Sequence, residues 1–435
     1  MLLRIKIENF LSFYNEVEFN MFPNIKRTTF LNHIYLKQEI PLLKQSVIYG
    51  ANGSGKSNLL SSINFIKRFV TNKDFLNDSL IIKSKFRLKE ENSKPINILI
   101  EFKKKDIYYK YQIKLNSKEI FEKLLISGLD KKDDIVIFKR ENNKIITGGN
   151  RSKEVSKAID KLIKKNPYSS IISLNNEFPI SNNEHMGFVY DWFSQDLKTL
   201  TLNRIIPSLI DLMSKNKKIL KFANNIFKEI GLGIESLEID SENINKLLEK
   251  EANSDNKLKE LLTKKLDVSD GITKMKNDKV LFSIVKEKGE HIIKQFLFKQ
   301  AGLDNYTGEM DIEDQSDGTV KLLNLIPALY DVIENGKIVC IDEIENSIHP
   351  TLISALVSYF SKSKSKGQLI FTTHETELLN QQRLMRPDEV WFTEKENGNS
   401  RMYSLNDFKE HNTINIKNGY MEGRYGAIPF IGKLE

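Results

Sequence analysis

Apolar and polar positions follow three successive patterns along the chain. At the start, "LLRIKIENF" alternates apolar with polar residues, a period of two that predicts a half-buried strand, and "EVEFNMF" supplies a hairpin partner. "QSVIYG" is a short apolar run that ends on glycine. The stretch after it, "KSNLLSSINFIKRFV", places Leu59, Leu60, Ile63, Ile66 and Phe69 at helical spacing. The order is therefore strand, Gly-rich loop, helix. Further on, "INILIEF", "IYYKYQIKL", "EIFEKLLIS" and "IVIFKR" are β-rich runs split by polar turns such as "KKKD" and "DKKDD", which predicts an antiparallel meander.

Residues 151–275 change to helical patterns, as in "EVSKAIDKLIKK", "IPSLIDLMSKNKKILKFANNIFKEI" and the highly charged "NKLLEKEANSDNKLKELLTKKL". "KVLFSIVK" and "IIKQFLF" return to strands. After residue 315 an α/β rhythm resumes: helix "GTVKLLNLIPALYDVIEN", buried strand "KIVCIDEI", helix "PTLISALVSYFSKSK", buried strand "GQLIFTTH", then late strands "DEVWFTEK" and "RMYSLNDF". Apolar runs alternating with helices imply a largely parallel sheet. The expected organisation is 1–150, 151–275 and 276–435: two halves of one α/β unit around a helical insertion. No internal repeat is visible.

The loop after "QSVIY" reads Gly50-Ala51-Asn52-Gly53-Ser54-Gly55-Lys56-Ser57 and fits G-x-x-x-x-G-K-[ST] at every fixed position. A loop so rich in glycine is costly to order, so something must approach its backbone closely. Successive N–H groups form a nest for anionic oxygens, and the following helix points its positive end at the same place. Lys56 can reach β- and γ-phosphates, and the Ser57 hydroxyl is placed to hold Mg²⁺. The nucleotide-binding candidates in this loop are Gly50, Asn52, Gly53, Ser54, Gly55, Lys56, Ser57 and Asn58. A plain Gly-rich turn is the alternative, and the strand before and helix after count against it.

In "KIVCIDEIENSIHP" an apolar run delivers Asp342 and Glu343 to a strand end. Ligands of parallel sheets bind at the carboxyl ends of the strands. Asp342 would hold Mg²⁺ through its water shell, and Glu343, projecting differently, would act as general base for attack on the γ-phosphate. A surface acidic pair is the plain alternative. "GQLIFTTH" ends a neighbouring buried strand with His374, which that position sets near the γ-phosphate. Ser316, Asp317 and Gly318 in "EDQSDGTVKLL" open a helix, where Ser or Asp would by itself be a cap.

The order of these pieces resembles the ABC-type ATPase heads, and "IKIENFLSF" looks like the start of SMC and Rad-fifty type heads. The nearer resemblance is to the AAA-fifteen or AAA-twenty-one class of bacterial ATPases, including those of abortive-infection and RloA-type phage-defence loci. It is carried by "RIKIENFLSF", "FRL", "QSDGT", "DEIENSIHP", "QLIFTTHETELL", "PDEVWFTEK" and "GYMEGRYGAIPFIG". The resemblance implies an ABC-ATPase-like α/β head with a mixed, largely parallel sheet, an antiparallel β subdomain and a helical insertion. It also implies ATP and Mg²⁺ as cofactors and a head-to-head homodimer, or a higher even-numbered assembly. In that dimer Ser316 and Gly318 of one copy would cap ATP on the other, with Asn346 and Ser347 in the turn crossing the interface. Two departures stand out: no convincing Q-loop glutamine follows the first helix, and no long heptad coiled coil occupies the middle. No guanine-reading motif appears, so ATP rests on the resemblance.

The class further implies a sensor or regulatory ATPase in antiviral defence, acting with a separately encoded effector such as a nuclease or an RloB-like protein. No nuclease constellation is visible in this chain. A DNA-binding ATPase of the Rad-fifty or RecF repair type is the alternative. With 66 basic against 58 acidic residues in 435, the net charge of +8 permits nucleic acid without demanding it. Arg4, Lys6 and Glu8 interrupt any signal-like core, no apolar run nears the roughly 20 residues that cross a bilayer, and the single cysteine, Cys340, excludes an internal disulfide. These features lead us to expect a cytoplasmic protein without membrane contact.

Overall fold

The structure, a computed structural model, describes residues 1–117, 119–129, 131–147, 153–178, 183–201, 209–243, 271–276, 279–287, 289–346, 348–379, 384–408 and 415–428. The charged segment "NKLLEKEANSDNKLKELLTKKL" lies outside these residues, as does Ser347. The chain divides into two compact units. The first holds Met1–Leu200, Asp331–Ile344 and Val357–Glu435, and the second Thr201–Tyr330 and Glu345–Leu356.

The strands, in chain order, are β1 (Leu2–Glu8), β2 (Val17–Asn20), β3 (Ile34–Tyr35), β4 (Leu42–Leu43), β5 (Gln45–Gly50), β6 (Ile96–Lys104), β7 (Ile107–Leu115), β8 (Ile120–Ile126), β9 (Ile135–Glu141), β10 (Lys144–Thr147), β11 (Leu197–Thr201), β12 (Ile234–Asn243), β13 (Gly271–Lys276), β14 (Lys279–Glu287), β15 (Glu290–Ala301), β16 (Thr307–Asp311), β17 (Ile338–Asp342), β18 (Gln368–Thr372), β19 (Val390–Glu396) and β20 (Asn399–Ser404). In the first unit, β10-β9-β8-β7-β6-β1-β2 form a seven-stranded antiparallel sheet. This is the meander that the alternating runs predict, with the N-terminal hairpin added at one edge. The hairpin register pairs Ile5 with Phe19 and Ile7 with Val17, and all four are buried. A one-residue slip would turn that apolar set to water.

A second sheet of the first unit has the order β11-β17-β18-β5-β19-β20. Its centre is parallel: β17 with β18, β18 with β5, and β5 with β19. β20 returns antiparallel on β19. The fold is thus α/β with mixed and antiparallel sheets. Every residue of β5 is buried, as is every residue of β18, which is why these strands read as continuous apolar runs and not as alternating ones.

The helix Lys56–Thr71 follows β5, and the positions spaced for a helix (Leu59, Leu60, Ile63, Ile66, Phe69) are all buried. They join Cys340, Ile370 and Trp391 of the parallel sheet and Ile5, Phe19 and Ile98 of the antiparallel sheet in one apolar core. Gln368 stitches the two sheets by polar bonds: its Oε1 accepts from Leu2 N at 2.6 Å, and its Nε2 donates to the carbonyls of Leu2 at 3.0 Å and Leu43 at 3.1 Å. A buried amide satisfied in this way fixes one alignment of the sheets, since any other would orphan its donors.

In the second unit, β12-β15-β14-β13 form a sheet with β16 added on β15. The helices Leu209–Lys215 and Lys217–Ile230 precede it, and Asp317–Ile333 begins in this unit. Between 151 and 275, where helical patterns dominate the sequence, strands β11 and β12 and most of β13 occur as well. The reason is tertiary. β12 is heavily charged, and only pairing with β15, which sets Leu237 opposite Phe298, gives its apolar positions a buried face.

Candidate nucleotide site

Gly50 closes β5, the loop turns back with Ser54 N donating to Ala51 O at 3.1 Å, and the helix starts with Asn58 N and Leu59 N both donating to Gly55 O. Two glycines are required by their surroundings. A Cβ on Gly50 would lie 2.3 Å from Thr393 Oγ1 and 2.5 Å from the Thr393 carbonyl. Gly55 adopts φ +121°, and a Cβ there would meet Ser400 Oγ at 2.7 Å. The loop therefore rests directly on the β19–β20 hairpin. Hydroxyl groups complete the support: Ser54 Oγ and Thr393 Oγ1 are 2.6 Å apart, Ser400 Oγ donates to Ser54 O at 2.5 Å and lies 2.7 Å from Ser12 Oγ, and Asn58 Nδ2 donates to Ser12 Oγ at 2.6 Å.

Asn52 and Gly53 are exposed at the loop tip, whereas Lys56 is buried and its Nζ donates to the carbonyls of Gly50 at 2.8 Å and Ala51 at 3.3 Å. The ammonium is thus held within the loop by neutral acceptors. Anionic oxygens are stronger partners for it, since they add charge–charge attraction to the hydrogen bond.

The parallel register brings the carboxylates to this loop. β18 lies between β5 and β17, so the ends of all three strands converge. Ser57 Oγ donates to Asp342 Oδ1 at 3.1 Å, and the two are 285 positions apart in sequence. Thr372 Oγ1 donates to the same carboxylate oxygen at 2.7 Å. Glu343 follows with φ 50°, a left-handed conformation that costs a non-glycine residue about 1 kcal/mol. Its N–H donates to Thr372 Oγ1 at 2.7 Å, and Ile344 N donates to Thr372 O at 3.1 Å. His374 is exposed, two residues beyond Thr372 on the segment that Thr373 N anchors to Ile48 O at 3.1 Å. Behind the carboxylates, burial pushes the Cys340 thiol up to about 12, so it plays no part as a nucleophile.

The loop, Ser57, Asp342, Glu343 and His374 therefore belong to one cluster of strand ends. Ser316 and Gly318 belong to the second unit. There Ser316 Oγ accepts from Thr319 N at 3.2 Å and Ser316 O accepts from Val320 N at 3.1 Å, so the serine caps the helix Asp317–Ile333. Asn346 also lies in the second unit. Four residues around the cluster are not evident from motif spacing: Ser12, Thr372, Thr393 and Ser400. Of these only Thr372 carries a local signal, as the last residue of an apolar strand next to the His-bearing turn.

A glycine loop at a helix N-terminus, followed by a serine hydroxyl and a strand-end carboxylate, suits a magnesium nucleotide. Among the described residues no group of three His, Cys, Asp or Glu could hold a metal by itself. A hard cation at Ser57 and Asp342 would therefore complete its shell from phosphate oxygens and water, as Mg²⁺ does.

These features define a P-loop nucleotide-binding ATPase domain of α/β architecture. The sequence profile described as "AAA domain, putative AbiEii toxin, Type IV TA system" matches residues 46–380, and the chain belongs to that family. A comparison with curated proteins returns no match. Among solved structures, the chain is similar to an SMC head bound to the C-winged helix domain of ScpA, at 14% identity over 93% of this chain and 97% of that one, with a TM-score of 0.45. It is also similar to the SMC head domain from Thermotoga maritima, at 11% identity over 93% and 98%, TM-score 0.41. A third similar structure is the SMC head with an extended coiled coil from Pyrococcus furiosus, bound to the C-terminal domain of ScpA, at 12% identity over 93% and 96%, TM-score 0.34. Overlaps this loose leave the family assignment to rest on the sequence profile. No helix among the described residues is long and apolar enough to cross a membrane.

Proposed function

We propose that the chain binds and hydrolyses ATP with Mg²⁺, and that two copies complete each other's sites. The observation that carries the nucleotide reading is the Ser57–Asp342 hydrogen bond, which sets the loop hydroxyl against the strand-end carboxylate beside Glu343; the pairing of two copies rests on the resemblance to ABC-type ATPase heads.

The loop N–H groups would bind the phosphates, and Lys56 would exchange its loop carbonyls for phosphate oxygens. Ser57 and Asp342 would hold the metal, which supplies charge neutralisation on the β- and γ-phosphates when bound. Glu343 would accept a proton from the attacking water, and His374 would contact the γ-phosphate and orient that water. Ser316 and Gly318 of a second copy would bring a helix N-terminus to the same phosphate, adding a clamp that a lone subunit lacks. Turnover would be slow, because the site is complete only in the dimer.

On the sequence resemblance, we further propose a regulatory role in antiviral defence beside a separately encoded effector; the family description itself names a putative toxin of a Type IV TA system. Hydrolysis would set how long the paired state lasts, and so when the effector is restrained or released.

The test is Glu343→Gln. It should keep nucleotide affinity within about threefold, lower turnover by about 10²–10⁴-fold as expected for a lost general base, and hold the chain as an ATP-dependent dimer in light scattering. Wild-type turnover in this variant would remove Glu343 from the mechanism, and a monomer with bound ATP would remove the paired site. Turnover stimulated by DNA and steeply weakened by salt would favour the repair-type reading instead.

A further inference from the structure

We propose that Thr372 is a positioning residue that locks the metal-side carboxylate and the general base into one rigid turn. The inference rests on the hydrolase reading above and adds a residue that the phosphate loop and strand-end acidic pair do not name. Three bonds converge on Thr372. Its hydroxyl donates to Asp342 Oδ1 at 2.7 Å, the same hydroxyl accepts from Glu343 N at 2.7 Å, and its carbonyl accepts from Ile344 N at 3.1 Å. Thr372 itself is fully buried.

A single hydroxyl thus serves as donor to one acidic residue and acceptor from the backbone of the next. Its one proton is committed to Asp342, which requires that carboxylate to be an acceptor, and its lone pair is committed to Glu343. The bond to Glu343 N holds a residue that sits at φ 50° without being glycine. Such a conformation persists only where the surroundings over-determine it. Asp342 is consequently held toward Ser57, which also donates to its Oδ1, and the backbone from which the Glu343 side chain leaves is fixed by the bond to its N–H. Thr372 also ends the strand that leads to His374, so one residue ties the carboxylate turn to the histidine segment. β-Branching serves the same end, because threonine has few χ1 choices and its hydroxyl is pre-aimed.

The test compares Thr372→Val, which keeps shape and removes the hydroxyl, with Thr372→Ser, which keeps the hydroxyl. Readouts are kcat and KM for ATP, affinity for a fluorescent ATP analogue with and without Mg²⁺, and the urea unfolding midpoint. Removing a group that orients ligands typically costs 10–100-fold, so Thr372→Val should lower kcat by about that factor and raise the Mg²⁺ needed for half-maximal nucleotide binding about tenfold, with Mg²⁺-free affinity unchanged and Thr372→Ser within about threefold of wild type.

Combined with Glu343→Gln, Thr372→Val should add little further loss of kcat. Wild-type kcat and Mg²⁺ dependence in Thr372→Val would overturn the proposal. So would equal losses in the valine and serine variants, which would mark a packing role. The reading beneath it fails separately: if Glu343→Gln turns over normally, Glu343 is not the base, while the Mg²⁺ titration still judges the hold of Thr372 on Asp342.

Discussion

The two ends of β5 are both polar, and they are polar for opposite reasons. At the C-terminal end the glycine loop, Ser57, Asp342 and Glu343 face outward, with Ser57 exposed and the carboxylates half-buried. At the N-terminal end Gln45, His33, Arg386, Asp388 and Glu389 form a closed polar core, each less than 5% exposed. Arg386 meets Asp388 through two bonds, Nε to Oδ1 at 2.9 Å and Nη2 to Oδ2 at 2.7 Å, and also donates to the carbonyls of Asn24 and Thr29. His33 Nδ1 lies 2.9 Å from Glu389 Oε1, and Glu389 Oε2 accepts from Arg386 N at 2.8 Å. This closed cluster pins the 22–35 segment to the start of β19. Polar groups that are fully partnered by protein specify architecture. At the other end the loop tip at Asn52 and Gly53 and the Ser57 hydroxyl are open to solvent, where a ligand can reach them.

Four substitutions or measurements can break this contrast. Lys56→Ala should lower ATP turnover by on the order of 10²–10³, the cost of one preorganised charge donor, with a urea midpoint near wild type; normal turnover would mean that the loop does not hold the phosphates. Arg386→Ala should instead cost about 3–5 kcal/mol of stability, because it strands the Asp388 carboxylate in the interior. The folded fraction should still bind nucleotide normally, and a loss below 1 kcal/mol would show that this core is not the structural end.

A subtler effect concerns Glu389. Burial pushes its carboxyl above the ordinary 4.5, opposed chiefly by its bond to His33. A carboxyl raised in the folded state stabilises below the unfolded value and loses that contribution as pH rises through the folded value. Glu389→Gln should therefore flatten the fall in stability as pH rises above 4.5, relative to wild type, as measured by urea melts at stepped pH. If the two profiles are parallel, Glu389 does not titrate in that window. The smallest effect is at Cys340. With its thiol pushed up to about 12, it should resist thiol reagents at pH 8 in the native chain and react only in urea. Rapid native labelling would mean that the β17 core opens.

Much of the first unit is written in local pattern. β1, β2, β5 and the β6–β9 meander follow from alternation and turn residues, and the helix Lys56–Thr71 from its apolar spacing. The phosphate loop and the acidic pair are legible because their chemistry needs particular residues in an unbroken run. β11 and β12 were not, because their apolar positions become a face only when a distant strand lies alongside. Nor does spacing reveal Ser12, Thr393 or Ser400. Serine and threonine are common everywhere, and these matter only because the β19–β20 hairpin folds beneath the loop.

By itself, then, the sequence determined the α/β rhythm, the glycine loop after β5 and the acidic pair at the end of β17, since each rests on neighbours within a few positions. Only the tertiary structure decided that Ser57 and Asp342 touch across 285 positions, that Thr372 grips the carboxylate turn, and that one end of β5 is closed while the other is open. The reason is the order β17-β18-β5, which inserts the last of these three strands in sequence between the two that precede it and so aligns strand ends that no local pattern relates.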